Sequence, residues 1–165
     1  MKLLSRLKKS SALTYLNISG NDLSESQEKF QSLQKFIGRN ESCQQLLMNG
    51  CMLKDAAMTF IGGGLGQNIA LLKLSLQENE MITKDGLSYL CKGLIDNKKE
   101  SKLVELDLQK CRIMSKSMLP FGKLLASNYK IRVLNLKHNH ITDEGAEELL
   151  EQVINNEYVT KVNLD

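Results

Sequence analysis

The chain has no run of apolar residues approaching the roughly 18 to 20 needed to cross a bilayer, which excludes a membrane-spanning helix. It has no C-x-x-C pair and no zinc-ligand spacing: Cys43, Cys51, Cys91 and Cys111 stand apart from one another. Four cysteines in 165 residues are too sparse for a disulfide-stapled scaffold, so reduced thiols in a cytoplasmic compartment are the expectation. A surplus of one charge sign is missing as well. Lysine and arginine number 22 against 19 acids, and the net charge of +3 falls short of the basic face that phosphate recognition needs. Nucleic acid is therefore not an expected partner. Proline occurs once and histidine twice. What is left is ordinary globular composition, 42% apolar and 25% charged, at a length that fits one domain over 1–165.

What the chain does have is internal repetition. Aligned on its own leucines, the frame L-x-x-L-x-L-x-x-N/C-x-L recurs as LTYLNISGNDL from Leu13, CQQLLMNGCML from Cys43, LLKLSLQENEM from Leu71, LVELDLQKCRI from Leu103 and IRVLNLKHNHI from Ile131. A shortened VTKVNL starts at Val159. The starts lie 30, 28, 32, 28 and 28 residues apart. A second, independent mark stands three residues before four of them, at Asn40, Asn68, Asn128 and Asn156, with Glu100 in the place of a fifth. The ninth position alternates Asn21, Cys51, Asn79, Cys111, Asn139.

This pattern resembles the leucine-rich repeat family, and the period near 28 with alternating Asn and Cys resembles its ribonuclease-inhibitor-like class. The resemblance implies a right-handed α/β solenoid, a horseshoe segment whose concave parallel sheet has about six strands and whose convex side carries helices. It implies too that the chain presents a surface to another protein.

The residues support the same architecture on their own. Alternation at L-x-L is the period of a strand with one buried face, so Leu74 and Leu76 point in while Lys73, Ser75 and Gln77 point out. The stretches that follow carry apolar pairs four apart, Ile61 with Leu65, Leu90 with Leu94 and Leu149 with Val153, which is helical spacing. Thr142 or Asp143 is a cap for the last of these, with Asp143, Glu144, Glu147 and Glu148 near its positive end. Pro120 falls near the start of the fourth helix, where proline is tolerated.

Several apparent motifs lose their chemistry inside this frame. His138-Asn139-His140 looks like a nuclease or metal signature, but no carboxylate or cysteine cluster completes a metal shell. Asn139 sits at the ninth position, where a buried amide can both donate to and accept from the turning backbone. Asn21, Cys51, Asn79, Cys111 and Asn139 are thus expected to form a structural turn ladder, the cysteines filling the slot with a smaller and weaker group. A Cys111–His138 dyad fails because one side chain faces the core and the other faces water. The glycine-rich stretch Gly62 to Asn68 lacks the G-x-G-x-x-G spacing and any G-K-[ST], and is expected to be a poor helix loosened by its glycines. The run Asp96 to Lys102 takes up the extra residues of the 32-residue interval as a solvated loop. No cofactor, metal or small-molecule substrate is called for.

The basic start MKLLSRLKK is in phase with the repeats: Leu3 and Leu7 precede Leu13 by ten and six residues, as Leu149 and Val153 precede Val159. It is read as the helix of a partial repeat over 1–12. Another partial repeat begins at 159, and no polar capping unit closes either end, so the chain is expected to be a segment of a longer protein.

Function is then sought on the outward columns of the strand face. The third position carries Tyr15, Gln45, Lys73, Glu105, Val133 and Lys161, the fifth Asn17, Ser75, Asp107 and Asn135, and the seventh Gln77, Gln109 and Lys137, with His138 beyond. Six strands about 4.8 Å apart present on the order of 300 Å² in projection, against about 800 Å² per partner in a standard interface. The first expectation is a non-catalytic protein–protein interaction scaffold. A fixed spacer in a cytoskeletal or ciliary (axonemal) assembly is the second. The resemblance also brings in a GTPase-activating branch, for which only Arg6, Arg39, Arg112 and Arg132 could supply an arginine.

Overall fold

The computed structural model describes residues 2–24, 26–97, 100–128 and 130–165, with the side chains of Lys2, Leu3 and Ser5 outside that set. The elements alternate: α1 (Lys2–Leu7), β1 (Tyr15–Asn17), α2 (Gln27–Arg39), β2 (Gln45–Leu47), α3 (Asp55–Leu65), β3 (Lys73–Ser75), α4 (Lys84–Asp96), β4 (Glu105–Asp107), a 3-10 turn (Ser115–Ser117), α5 (Met118–Ser127), β5 (Val133–Asn135), α6 (Asp143–Ile154) and β6 (Lys161–Asn163). The strands form one six-stranded sheet in chain order, and every neighbouring pair is parallel. Parallel neighbours in chain order require a helical crossover after each strand, and repeating the unit stacks strands on one side and helices on the other.

Register equals the repeat alignment. Tyr15 pairs with Gln45, Gln45 with Lys73, Lys73 with Glu105, Glu105 with Val133, and Val133 with Lys161. One residue further along, Leu46, Leu74, Leu106 and Leu134 are each fully buried. Each such leucine contributes about 2 kcal/mol through removal from water. A slip of one residue would turn this whole column outward, so the alternation fixes the register.

The helices close the core from the opposite side. In α2, Ser26 caps the N-terminus by accepting from the Lys29 N–H, and Phe30, Leu33, Phe36 and Ile37 are its buried stripe. In α4, Thr83 caps by accepting from the Asp85 N–H, and the buried stripe includes Leu87, Leu90 and Leu94. Pro120 lies in the first turn of α5, where its missing N–H has no helical partner to lose. The basic start forms α1, with Leu4 fully buried. The side chain of Leu3, and Lys98 and Lys99 of the solvated loop, lie outside the described residues.

Two expectations change. The glycine-rich segment was expected to loosen its helix, yet α3 runs through Gly62, Gly63 and Gly64 to Leu65. Gly62 and Gly64 stand where neighbours leave no room for a side chain, whereas exposed Gly63 faces only the end of the Gln34 side chain. A Cβ on Gly62 would lie 2.3 Å from the Tyr89 carbonyl oxygen, and one on Gly93 would lie 2.0 Å from that of Gly62. The two helices therefore meet backbone to backbone, and close packing offsets the poor propensity. The second change concerns Glu100, placed by sequence spacing at the missing asparagine. Asn97 fills that role instead. Its amide donates to the Leu65 and Asn68 carbonyls at 2.8 and 2.6 Å, and the residues beyond it take up the longer interval.

Candidate protein-interaction surface

After each strand the chain must leave the sheet within a few residues. The eighth residue of every repeat does this in the left-handed region: Gly20, Gly50, Glu78, Lys110 and His138 have φ between 55° and 73°. Only two of the five are glycine, so the other three hold a strained conformation that their surroundings stabilise. The two cysteine-bearing turns differ from the asparagine turns, because Met52 and Arg112 at the tenth position are left-handed as well.

The ninth-position side chains satisfy these turns. Asn79, with no exposed surface, donates to the Met48 and Leu76 carbonyls at 2.9 and 2.7 Å. Its Oδ1 accepts from the Cys51 and Leu53 N–H groups at 2.9 and 3.1 Å. Asn139 repeats the arrangement one pair of turns later, donating to Leu108 and Leu136 and accepting from Cys111 and Ile113. Cys51 and Cys111 use their thiols to donate to the carbonyls of Ile18 and Leu76, both at 3.2 Å. Asn21, at the exposed first turn, donates to the Ile18 carbonyl at 2.8 Å. Burial holds the Cys91 and Cys111 thiols up to about 12, and Asp107 and Glu80 add to the rise at Cys111. Cys43 and Cys51 are raised for the same desolvation reason. None of these thiols has the lowered pKa of a nucleophile.

A second ladder runs where the helices return to the sheet. Asn40 donates to the Leu7 and Ser10 carbonyls, Asn68 to Ile37, and Asn156 to Leu125 and Asn128. A third polar rung, missed in the sequence, ties the helix starts. Asp55 accepts from both the N–H and the hydroxyl of Thr83, at 2.8 and 2.6 Å. Ser115 accepts from the Thr142 N–H at 2.9 Å in the same way. A Cβ on Gly86 or Gly145 would run into Asp55 or Ser115. The signal was present as T-x-[DE]-G, in TKDG from Thr83 and TDEG from Thr142. Thr142 is the N-terminal boundary residue of α6 and Asp143 its first residue.

The outward columns are less free than their polarity implies. Ser75 and Asp107, expected to be presented to a partner, are 1% and 5% exposed. Both are covered by side chains of adjacent strands. Ser75 Oγ donates to Asn49 Oδ1 at 2.7 Å, Gln77 Nε2 to Asp107 Oδ2 at 2.7 Å, and Asn135 Nδ2 to Asp107 Oδ1 at 3.1 Å. Lys73 pairs with Glu105 at 2.7 Å, Lys110 with Glu78 at 3.3 Å and Arg112 with Glu80 at 3.0 Å. Gln109 and Val133 are half-buried. The groups left most open are at the two ends of the face: Tyr15, Asn17 and Gln45 on one side, Lys137, His138 and Lys161 on the other. His138 Nδ1 lies 3.2 Å from Asp165. Of the arginines, Arg112 is in its pair with Glu80 and Arg132 lies over the Tyr158 ring at 5.2 Å. Among the described residues no group of three or more His, Cys, Asp or Glu is arranged to hold a metal, and no helix is long and apolar enough to cross a membrane.

A stack of short parallel strands tied by asparagine and cysteine ladders defines a leucine-rich repeat solenoid. Models of the leucine-rich repeat match residues 12–35, 67–91 and 127–150. NACHT, LRR and PYD domains-containing protein 5 of Bos taurus is 30% identical over 151 residues, covering 90% of this chain and 13% of that protein. The ribonuclease inhibitor of Sus scrofa is 29% identical over 103 residues, 62% of this chain and 22% of the inhibitor. The chain thus spans well under a third of the length of these curated relatives. Among solved structures, leiomodin-1 actin-binding site 2 superposes with a TM-score of 0.69 at 22% identity, covering 93% of this chain and 84% of that one. The tropomodulin C-terminal domain of Caenorhabditis elegans gives 0.68 at 14%, covering 93% and 90%. These two likenesses bear on the fold. The chain belongs to the leucine-rich repeat proteins, of ribonuclease-inhibitor-like class.

Proposed function

We propose that the chain is a non-catalytic protein-binding scaffold whose strand face meets its partner. The observation that carries this is the cross-repeat polar lattice from Ser19 through Asn49, Ser75 and Gln77 to Asp107 and Asn135. Such a lattice fixes the surface before binding, which lowers the ordering cost of association. Tyr15, 49% exposed at the edge of the sheet, is the aromatic anchor, with Gln45 beside it in the register. Lys137, His138 and Lys161 supply a second polar contact at the other end. The tied central residues Ser75, Asp107, Lys73 and Glu105 give shape rather than affinity.

Cross-linking mass spectrometry on native extract, with wild type and Tyr15→Ala as baits, tests this. Cross-links to one protein from Lys137 and Lys161 that weaken in the variant are the expected result. Cross-links confined to the helical side would overturn it. A second, cytoskeletal reading takes support from the actin-binding site in the structure of leiomodin-1. Co-sedimentation with filamentous actin tests that partner directly. A GTPase-activating role would fall to the exposed Arg6, Arg39 or Arg112, since Arg132 lies over the Tyr158 ring. The expected result of a single-turnover GTPase assay is an unchanged rate.

A further inference from the structure

The helical side carries a feature that the strand-face proposal does not use. Gly62 and Gly93 bring α3 and α4 into backbone contact, whereas α4 and α5 pack less closely. α4 lies in the 32-residue interval, and α5 begins only after the 3-10 turn Ser115–Ser117. The gap is an open groove of 330 Å³. Its floor is apolar: Cys91 and Ile95 from α4, Leu119 and Pro120 from α5. Leu119 stands up from the floor, 47% exposed, and also borders a smaller apolar hollow of 150 Å³ between α5 and α6.

The rim carries one sign of charge. Lys84, Lys92 and Lys123 line the groove and no acid does. Lys92 reaches Asp96 one turn away in an exposed pair, a contact that water screens heavily. Among the described residues, Lys84 and Lys123 make no ion pair. The α4 wall runs from Lys84 to Ile95, roughly 16 Å of helix, or three turns. An open groove with an apolar floor between two neighbouring helices is a shape that a third helix fills by setting its ridge of side chains into the gap.

We propose that this groove docks an acidic amphipathic helix of a partner protein. Apolar side chains at i, i+3 or i+4 and i+7 of that helix rest on Ile95 and Leu119, and its carboxylates face Lys84, Lys92 and Lys123. The charge complementarity selects an acidic segment over a basic one. The open side of the trough would leave much of an acyl chain in water, whereas an amphipathic helix presents its polar face there. The site is independent of the strand face, since sheet and helices form opposite surfaces.

The test uses a fluorescein-labelled 14-residue synthetic peptide with leucine at the apolar spacing and glutamate elsewhere, together with its lysine-for-glutamate counterpart. Fluorescence anisotropy is expected to show saturable binding of the acidic peptide that weakens as salt rises. Leu119→Glu and Lys123→Glu, both at exposed positions, should each raise Kd by about tenfold or more. Tyr15→Ala should leave Kd unchanged, which separates failure here from failure of the strand-face proposal. Far-UV circular dichroism confirms that each variant folds. No binding at about 1 mM peptide, equal binding of the lysine peptide, or indifference to Leu119→Glu would each overturn the proposal. So would binding that goes instead to vesicles of anionic lipid and is lost with Lys123→Glu.

Discussion

Replacing Asn79 by alanine isolates the contribution of one ladder rung. The side chain is fully buried and holds five backbone groups belonging to two successive turns, the Gln77 carbonyl the most distant of them at 3.3 Å. On truncation, the Leu76 carbonyl keeps the Cys111 thiol as a donor. The Cys51 N–H, the Leu53 N–H and the Met48 carbonyl lose their side-chain partner. Each buried group left without a partner costs about 1 to 3 kcal/mol, and water entering the vacated space recovers part of this. A loss of at least about 3 kcal/mol is therefore expected, a large share of the 5 to 15 kcal/mol (roughly) that keeps a domain folded. The control is built into the sequence. Asn21 holds the same ladder position, but it is exposed and makes one good bond, to the Ile18 carbonyl, which the Cys51 thiol also contacts. Asn21→Ala should cost less than about 1 kcal/mol, with the half-buried Asn139→Ala in between. Urea denaturation followed by far-UV circular dichroism measures all three. Equal losses at Asn21 and Asn79, or a loss below about 1 kcal/mol at Asn79, would refute the reasoning.

Gly93→Ala should destabilise by about 1 to 3 kcal/mol because the added methyl meets the Gly62 carbonyl, although alanine is the better helix former. Gly66→Ala, with every neighbour at 3.6 Å or more, should be neutral or slightly stabilising in the same urea series. Gly50→Ala should cost about 1 kcal/mol although open space surrounds it, since its φ of 57° is unfavourable for any residue with a Cβ. The thiols make stability pH-dependent in a stated direction. Cys91 and Cys111 titrate near 12 when folded and near 9 when unfolded, so between those values the unfolded chain holds fewer protons. Folding stability should then fall as pH rises above 9, by up to about 1.4 kcal/mol per pH unit for each thiol. Cys91→Ala should flatten that slope in urea titrations at pH 8, 9 and 10. Below pH 9, native Cys91 and Cys111 should resist a thiol reagent until denaturant is added.

The strands were legible because L-x-L alternation reports directly which side chain a strand buries. Their register was legible because asparagine marks recur in phase with the leucines. What escaped were relations across repeats, which a one-dimensional period does not record. An insertion follows Asn97, so the frame points to Glu100 while the amide has to stay within reach of Leu65 and Asn68. Alternation alone points Ser75 and Asp107 to solvent, but side chains of neighbouring repeats lie within hydrogen-bonding reach and cover them. The glycines of α3 carried a propensity signal whose sign reversed once a facing helix was present. The α4–α5 groove had no signature, since it exists only as the distance between two helices.

The asparagine rungs Asn79 and Asn139 both reach backward. Asn79 completes a turn that begins at Cys51, 28 residues earlier, and Asn139 does so for Cys111, also 28 earlier. On a ribosome the chain emerges N-terminus first, so each cysteine turn waits with open N–H groups until the next segment has been made. At these two turns the nascent solenoid is finished one repeat short of its growing end, and a pause in translation there would expose a predictable, unlatched edge.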